Sequence, residues 1–318
     1  MYEQKDLFNI TKEHNKPVGR FASYNKEHCW QYDIRLKNTE EDVKSLGFTQ
    51  EQINALSVKD FFIETIESGD KKKCTEVKNF IERHEWLGKM PNRPTHRFVA
   101  RLKTNKAIAG AIVMATPNAF SNILGVEHKD KEKLISRGAC ISWSPKNLGS
   151  WLITQAIKKM VETTHYRIFT AYSDPEAKEL GTIYQACNFY YLGQNFGSKK
   201  MYFDPKKPHL SWFSDREFRK QSKYRMYAAQ IGIAGSEFER YIGKWTPKWN
   251  EMPTGMKELI KGQESVYRQS CMVRSVVPKH KYAYILGNNK KETKLLKKVF
   301  SQHNNNLDVF NYPKSRGV

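Results

Sequence analysis

An alternation of strand-like and helix-like patterns between residues 97 and 192 constrains the fold of this chain more than any other feature. The near-continuous apolar run Ile108 to Ala115 is typical of a strand that is buried on both faces. Residues 152–161 instead place apolar side chains at helical spacing, with polar residues between them. This alternation predicts a mixed α/β (α+β) sheet with helices packed against it.

The same patterns predict individual elements. Thr49 with Gln52 and Ser214 with Glu217 have the spacing of helix capping boxes, and the chain after Pro205 reads as mainly helical. The predicted strands are 97–102, 108–115, 138–143, 167–172, a closing pair 189–192 and 201–203 around Gly197, and 282–286, and the predicted helices are 152–161, 180–188 and 292–300. These elements divide the chain into an N-terminal helical or mixed segment over 1–80, a core over 81–205 and a basic C-terminal region over 206–318.

The charge balance points to a polyanionic partner. Lys and Arg total 54 against 33 Asp and Glu, which gives a net charge of +21. Residues 201–318 alone hold 23 Lys and Arg against 10 Asp and Glu. A surplus of this size exceeds what solubility requires and favours contact with phosphates. Charge alone leaves DNA, RNA, anionic lipid and a merely solvated basic face open.

The C-terminal third interleaves basic and aromatic residues, as nucleic-acid-binding surfaces do. The alternative is a helical region whose aromatic residues form its core and whose lysines face solvent. We predict double-stranded DNA as the partner, bound by Arg216, Arg219, Lys220, Lys223, Lys279, Lys281, Lys294, Lys297 and Lys298.

Cysteine usage and hydropathy bear on the compartment. The five cysteines are widely spaced and form no C-x-x-C pair, which indicates neither a disulfide framework nor a zinc ribbon. No run approaches the roughly 18 apolar residues of a membrane helix. We therefore expect a protein of a reducing compartment, with no membrane partner.

A Gly-containing loop precedes the predicted helix at 152–161. The start of a helix presents unpaired N–H groups and a partial positive charge, and a glycine there lets a ligand approach the backbone. A phosphate-bearing cofactor would be held by Lys146, Asn147, Leu148, Gly149 and Ser150. An ordinary strand–loop–helix turn explains the same pattern.

Polar side chains follow the next predicted strand. Ser173 and Asp174 come directly after it, and Tyr184 and Gln185 lie at the start of the following helix. Ligands in open α/β sheets collect at the carboxyl ends of strands, so these side chains are candidates for chemistry. A turn before Pro175, stabilised by local hydrogen bonds, is the equally simple alternative.

These residues resemble the signature of a known family. The run from Thr170 to Pro175 and the run from Leu180 to Gly193 are similar to those of the phage Mom-type DNA-modification proteins, which have a fold like that of GNAT acyltransferases. Further similarity lies in residues 94–96, 114–118, 134–137 and 145–150, so that the resemblance covers roughly 80–205.

The resemblance implies modification of the exocyclic amine of adenine in duplex phage DNA to a carbamoylmethyl form, which blocks host restriction enzymes in the cytoplasm of the infected bacterium. It leaves an acyl-CoA and a glycine-derived donor as alternatives, and suggests iron. The sequence itself shows no compact His and carboxylate cluster at metal-ligand spacing.

The resemblance also implies site residues. These are Arg137, Ser150, Ser173, Asp174, Tyr184, Gln185 and His84, although Glu85 departs from the family pattern next to His84. Asp174 is the predicted base, Tyr184 the acid or positioning donor, and Arg137 the ligand for an anionic donor or phosphate. Two rival hypotheses remain, an acyl-CoA-dependent acetyltransferase of a protein or small amine and a non-catalytic nucleic-acid-binding protein.

Overall fold

The computed structural model of the chain describes residues 29–117, 122–196, 200–209, 212–243, 246–303 and 311–313. Of these, residues 29–196 and 278–313 belong to one compact unit, here called the sheet unit. Residues 200–277 belong to a second, here called the inserted unit. The inserted unit therefore interrupts the sequence of the sheet unit once.

Ten strands and nine α-helices are described. The strands are β1 (Phe61–Ile66), β2 (Pro94–Leu102), β3 (Ile108–Ala115), β4 (Glu132–Cys140), β5 (Ile168–Ser173), β6 (Tyr190–Phe196), β7 (Lys200–Phe203), β8 (Phe213–Ser214), β9 (Met272–Ser275) and β10 (Lys279–Ile285). The helices are α1 (Trp30–Leu46), α2 (Gln50–Asn54), α3 (Lys71–His84), α4 (Leu148–Thr163), α5 (Thr182–Ala186), α6 (Gln221–Gln230), α7 (Gly235–Glu239), α8 (Thr254–Gln269) and α9 (Lys290–His303).

The sheet unit is built on a seven-stranded sheet in the order β1-β2-β3-β4-β5-β10-β6. Neighbouring strands are antiparallel except for β4 and β5, which are parallel. A parallel pair requires a crossover connection, and α4 supplies it. The carboxyl ends of β4 and β5 thus point to the same edge of the sheet.

Helices cover both faces of this sheet. Apolar residues of α3 and α4, among them Ile81, Leu152 and Ile157, pack into one large core with β3 and β5. Leu296 and Phe300 of α9 join a second cluster. Their burial follows from helical spacing, since positions four apart lie on one face of a helix. The inserted unit has a three-stranded sheet of its own, in the order β8-β7-β9.

The mixed α/β class predicted from the sequence is confirmed. β3 has the predicted bounds, and Thr49 and Gln52 form the predicted capping box at α2. The strand predicted at 138–143 begins earlier, at Glu132, and ends at Cys140. Its first two residues, Glu132 and Lys133, are charged and buried, so that hydropathy does not reveal them as strand.

Two other predictions of local structure are wrong. β6 pairs with β10 rather than with β7, and β7 pairs with β8 and β9 in the other sheet, while residues 197–199 lie outside the described residues. The Ser214 side chain makes no capping hydrogen bond, and a short 3-10 turn follows it. Pairing of distant strands is not encoded by local sequence.

The described part of the chain after Pro205 is mainly helical, as predicted, and the predicted strand at 282–286 is present as β10. The short strands β8 and β9 were not predicted.

The two units also differ from the predicted boundaries at 80 and 205. α3 spans the first boundary and packs on the large sheet, and β10 and α9 return to the sheet unit although they lie after 205. Within the described residues, no helix is both long and apolar enough to cross a lipid bilayer.

Candidate active site

The parallel pair of strands opens at its carboxyl end. β4 and β5 pair over four residues, from Glu132 with Ile168 to Ile135 with Ala171. β4 then continues to Cys140 along β3. Where two parallel strands cease to pair, their backbones and the following loops become accessible to a ligand. The loops after β4 and β5 are therefore the place to look for chemistry.

The loop after β5 folds back on itself through Asp174 and Glu179. The Asp174 N–H donates to Glu179 Oε2 at 3.1 Å, and the Glu179 N–H donates to the Asp174 carbonyl at 3.1 Å. Gly181 closes the loop with φ of +69°, and a side chain there would meet the Tyr282 ring 2.5 Å away. These bonds fix the direction of the Glu179 carboxylate.

Glu179 is an acid with an unusual environment. Burial raises its pKa to about 7, and the negative charges of Glu85 and Asp174 act in the same direction. The hydrogen bond from the Asp174 N–H and the charge of Lys279 oppose this rise. A carboxyl group that titrates near neutral pH suits general acid–base catalysis.

Asp174 is held by other groups. Its Oδ2 lies 2.6 Å from Nζ of Lys279, and its Oδ1 accepts the N–H of Glu176 at 3.1 Å. Lys279, predicted as a DNA ligand, therefore joins the start of β10 to the loop after β5. Both Asp174 oxygens thus have partners within the site.

Arg137 and Glu85 lie on the neighbouring side of the site. Arg137 Nε donates to the Lys89 carbonyl at 2.8 Å and lies 4.0 Å from Glu85 Oε2, which accepts the Gly88 N–H at 3.0 Å. Arg137 thereby holds the segment after α3 against β4. In the sequence, Glu85 was noted only because it departs from the family pattern next to His84. In the structure, its negative charge is one of those that raise the pKa of Glu179.

Tyr184 completes this group of side chains. Its ring centroid lies 5.3 Å from that of Phe189 and 5.4 Å from that of Tyr282. Burial, and next the charges of Glu179 and Glu85, raise the pKa of Tyr184 well above its usual range, so that the phenol stays protonated. We define the acid–tyrosine cluster as Glu85, Arg137, Asp174, Glu179 and Tyr184.

Two further predicted residues lie beside this cluster. Gln185 Nε2 donates to the Leu180 carbonyl at 3.0 Å and so supports the loop. Ser173 is 2% exposed and ends β5.

The predicted cofactor loop lies at the start of α4. Lys146 and Asn147 are exposed, Leu148 is buried, and the Asn147 side chain makes no capping bond. Ser150 Oγ donates to the Asn147 carbonyl at 3.1 Å. These features suit a phosphate-bearing group, which would meet Lys146 and the first turn of the helix.

Gly149 has a second reason to be glycine. A Cβ there would lie 2.8 Å from Ile183 Cδ1, so the glycine admits close packing of α5 on α4. Ile183 is 38% exposed, and Cδ1 is the end of a flexible side chain that can shift toward solvent.

We therefore expect Gly149→Ala to lower the free energy of unfolding by no more than about 1 kcal/mol, because Ile183 can yield. If a ligand approaches the backbone at Gly149, the variant should lose modification activity in spite of this. Thermal unfolding and product yield, measured on the same preparation, separate the two effects. If Gly149→Ala lowers stability and activity, and if adding Ile183→Ala restores both, the glycine serves packing alone.

The His84 side chain contacts residues that are not members of the cluster. It is 4% exposed, its Nδ1 is 3.7 Å from Asp42 Oδ2, and its ring packs on Phe80 at 4.5 Å. Asp42 also accepts the Ser142 hydroxyl at 3.0 Å, so that His84 belongs to a buried polar group beneath the loop after β4. The structure thus gives His84 a supporting position.

The predicted DNA ligands fall into different environments. Arg216 is exposed, Arg219 pairs with Asp215 at 2.7 Å, Lys220 pairs with Glu217 at 2.6 Å, and Lys223 Nζ lies 4.5 Å from the Tyr267 ring centre. Lys281 is only 3% exposed, so we omit it from the proposed DNA interface. The remaining predicted ligands, Lys294, Lys297 and Lys298, are exposed on α9.

The suggested iron was tested against the side chains present. Among the described residues, no group of three or more His, Cys, Asp and Glu side chains gathers closely enough to hold a metal ion. We derive no step through iron.

The family is decided by a match over most of the chain, since residues 70–306 match the Mom protein family. The chain belongs to the Mom protein family. This match confirms the resemblance seen in the signature residues, and it extends beyond them to α3 at one end and beyond α9 at the other.

Solved structures give more distant similarities, and no curated protein matches the chain in sequence. An IAA acetyltransferase from Bacillus cereus is 16% identical, with a TM-score of 0.31 over 47% of this chain and 85% of its own. A ribosomal-protein-S5-alanine acetyltransferase from Vibrio fischeri is 14% identical, with a TM-score of 0.32 over 43% and 83%. A GNAT family acetyltransferase from Elizabethkingia anophelis, solved with acetyl-CoA, is 13% identical, with a TM-score of 0.28 over 43% and 80%.

Glu179 was missed by the sequence analysis although a signal was present. It lies five residues after Asp174, in the same strand-end turn and directly before the Leu180 that begins the second signature run. A carboxylate in that turn is as good a candidate catalytic residue as Asp174, because both lie at the carboxyl end of a strand.

The raised pKa of Glu179 has a consequence for stability. The folded protein binds a proton on Glu179 more tightly than the unfolded chain does, so this residue favours unfolding as pH rises from about 4.5 through about 7. Glu179→Gln mimics the protonated acid and should stabilise the protein at pH 8, by up to about 3 kcal/mol, but not at pH 4. Thermal unfolding at both pH values measures the difference, and an equal effect at both would contradict the raised pKa.

Proposed function

We propose that this Mom family protein is a transferase that modifies the exocyclic amine of adenine in double-stranded DNA, to a carbamoylmethyl-type product, and so protects the DNA from host restriction in the bacterial cytoplasm. The observation that carries the proposal is the acid–tyrosine cluster, which gathers a near-neutral acid, a protonated phenol and an arginine where β4 and β5 separate. Family membership supports DNA as the substrate.

The chemistry assigns the base to Glu179. The lone pair of the adenine amine is delocalised into the ring, so that transfer requires removal of a proton as the new bond forms. In the proposed step, the amine nitrogen bonds to an electrophilic carbon of the donor while its proton passes to Glu179. The bond between that carbon and the leaving group breaks at the same time. The ionised Glu179 needed for this step predominates above a pH of about 7.

The other members of the cluster orient and stabilise. Tyr184, which stays protonated, can donate to the leaving group as negative charge develops there. The backbone N–H of Asp174 holds the Glu179 carboxylate in place, and the Asp174 carboxylate forms an ion pair with Lys279. Lys146 and the first turn of α4 would hold the phosphates of an acyl-CoA, whereas a glycine-derived donor without phosphates would leave them unused. When bound, the donor supplies the electrophilic carbon and the leaving group.

The substrate base has to leave the duplex before it can react. Extrusion costs a few kcal/mol, which stacking on an aromatic ring offsets in part. Three aromatic residues lie in or next to the elements of the site. Trp143 is 5% exposed and stacks on Phe61, and Tyr172 lies on β5. Trp86 directly follows Glu85, is partly exposed and meets Trp30 edge-on at 5.3 Å. We assign the stacking role to Trp86.

Digestion of plasmid DNA with restriction enzymes tests the proposal. Plasmid from cells that express the chain should resist part of a panel of enzymes whose recognition sites contain adenine. The same plasmid should be cut normally at sites made only of G·C pairs, which serve as the internal control. Normal cutting across the whole panel, with soluble and folded protein present, would contradict the proposal, and so would equal resistance at both kinds of site.

A further inference from the structure

The outer face of α9 carries an uncompensated positive charge. The helix contains five lysines and one glutamate, and all five lysines are exposed. None of the five forms an ion pair with a described residue, and Glu292 is already paired with Arg167 at 2.9 Å. The charge of this helix is therefore available to a partner. The five lysines are Lys290, Lys291, Lys294, Lys297 and Lys298.

A groove extends this charge to the end of α4. A cavity of about 600 Å³ lies between the last turns of α4 and the segment that leads into α9. Lys158, Lys290, Lys294 and Lys297 line it. Its single carboxylate, Glu162, is paired with Lys159 at 2.9 Å. The cavity is thus lined by cations whose charges no described acid neutralises.

The end of α4 would ordinarily repel an anion, because the last carbonyls of a helix carry partial negative charge. Arg167 removes this obstacle. Its Nη1 donates to the Val161 carbonyl in the last turn of α4 at 3.4 Å and to the carbonyl of Thr164, which directly follows the helix, at 2.7 Å. The carbonyls at this end of α4 therefore repel an anion less than they would without Arg167.

We propose that the lysines of α9 and Lys158 form a track for the phosphate backbone of duplex DNA, here called the α9 track. The inference rests on the proposed function for its choice of DNA over other polyanions. From Lys290 to Lys298 the helix rises about 12 Å, a length over which a duplex presents about seven phosphate charges. Five lysines along that length can neutralise several of them.

The placement of apolar residues disfavours a membrane as the partner. A helix that binds lipid inserts its apolar face, but Leu296 and Phe300 of α9 are 5% and 4% exposed and are packed in the second core cluster. Leu295 is the exposed apolar residue of the helix. The exposed face of α9, which holds the lysines, is suited to the phosphates at the surface of a polyanion.

Within the inserted unit, two of the four predicted DNA ligands in the basic segment 216–223 already have acidic partners, Arg219 and Lys220. Besides Arg219 and Lys220, Arg225 pairs with Glu239 and Arg268 pairs with Asp215 and Glu264. A cation that already has an acidic partner gains less from a phosphate than one that has none. We therefore assign the main DNA contact to the α9 track and not to the basic segment 216–223.

Salt-dependent binding to a duplex tests the track. The variant Lys158→Gln/Lys290→Gln/Lys294→Gln removes three charges, and glutamine preserves helix propensity. The slope of log K against log salt should fall by about 2 to 3, and affinity at 0.1 M salt by at least about tenfold. Fluorescence anisotropy with a labelled duplex measures both. The matched control, Lys44→Gln/Lys71→Gln/Lys72→Gln, removes three exposed lysines of α1 and α3 in the same unit and should change the slope little.

The possible outcomes separate this inference from the proposed function. If the variant and the control show the same slope while adenine is modified, the track is wrong and the function stands. If the slope falls only in the variant while DNA stays unmodified, the track stands and the function is wrong. Absence of duplex binding by the natural chain, or tighter binding to single-stranded RNA or to vesicles of phosphatidylserine and phosphatidylcholine, would overturn the track.

Discussion

Replacing Glu179 with glutamine should lower the yield of modified adenine at least about 100-fold, which is the usual contribution of a general base. The amide keeps the size of the side chain and can still accept the Asp174 N–H, so the loop should retain its shape. It cannot take the proton of the amine. Product yield by nucleoside analysis and duplex affinity by anisotropy, which should stay the same, are the two measurements.

Glu176→Gln is the matched control for this variant. Glu176 lies in the same turn, and its backbone N–H, which the substitution leaves in place, is the group that bonds to Asp174. The control should modify DNA as the natural chain does. Full activity of Glu179→Gln, or an equal loss in both variants, would exclude Glu179 as the base.

Asp174→Asn and Lys279→Gln should move the pH dependence of modification in opposite directions. The charge of Asp174 raises the pKa of Glu179, whereas the charge of Lys279 lowers it. Activity rises with pH as Glu179 ionises, so its midpoint should lie lower in Asp174→Asn and higher in Lys279→Gln. We also expect Asp174→Asn to reduce the maximal rate at least about tenfold, because loss of the ion pair loosens the turn that positions the base.

This pair of variants separates positioning from proton transfer. If Asp174 itself were the base, Asp174→Asn would abolish activity at every pH and Glu179→Gln would leave some activity. Shifts of both variants in the same direction would instead show that general loosening of the site, rather than charge, governs the profile. Rates over pH 5 to 9 on one duplex substrate provide the comparison.

Much of the fold could be predicted because the local pattern of apolar and polar residues encodes individual strands and helices. The apolar run at Ile108 and the helical spacing after Leu148 each report burial along one element, and both elements form as predicted. Strand order could not be predicted in this way. The placement of β10 between β5 and β6 depends on pairing across the inserted unit, about 80 residues of chain, and no local signal records it.

The residues of the candidate site likewise fall into those that could be predicted from the sequence and those that could not. Asp174 and Tyr184 were found through resemblance and through their position after a predicted strand, and Arg137 through resemblance alone. All three belong to the acid–tyrosine cluster. Glu179 and Glu85 gain their importance from burial and from each other, which are tertiary properties. Lys281 shows the converse, because a lysine in a basic segment reads as a surface charge although the sheet buries it.

Nucleoside mass spectrometry of duplex DNA from cells that express the natural chain or Glu179→Gln tests the central claim most directly. We expect a nucleoside heavier than deoxyadenosine and derived from it in the first sample and its absence from the second, with both proteins folded and present in equal amounts. Unmodified adenine in both samples, or the same modified nucleoside in both, would contradict a Glu179-dependent transfer to adenine.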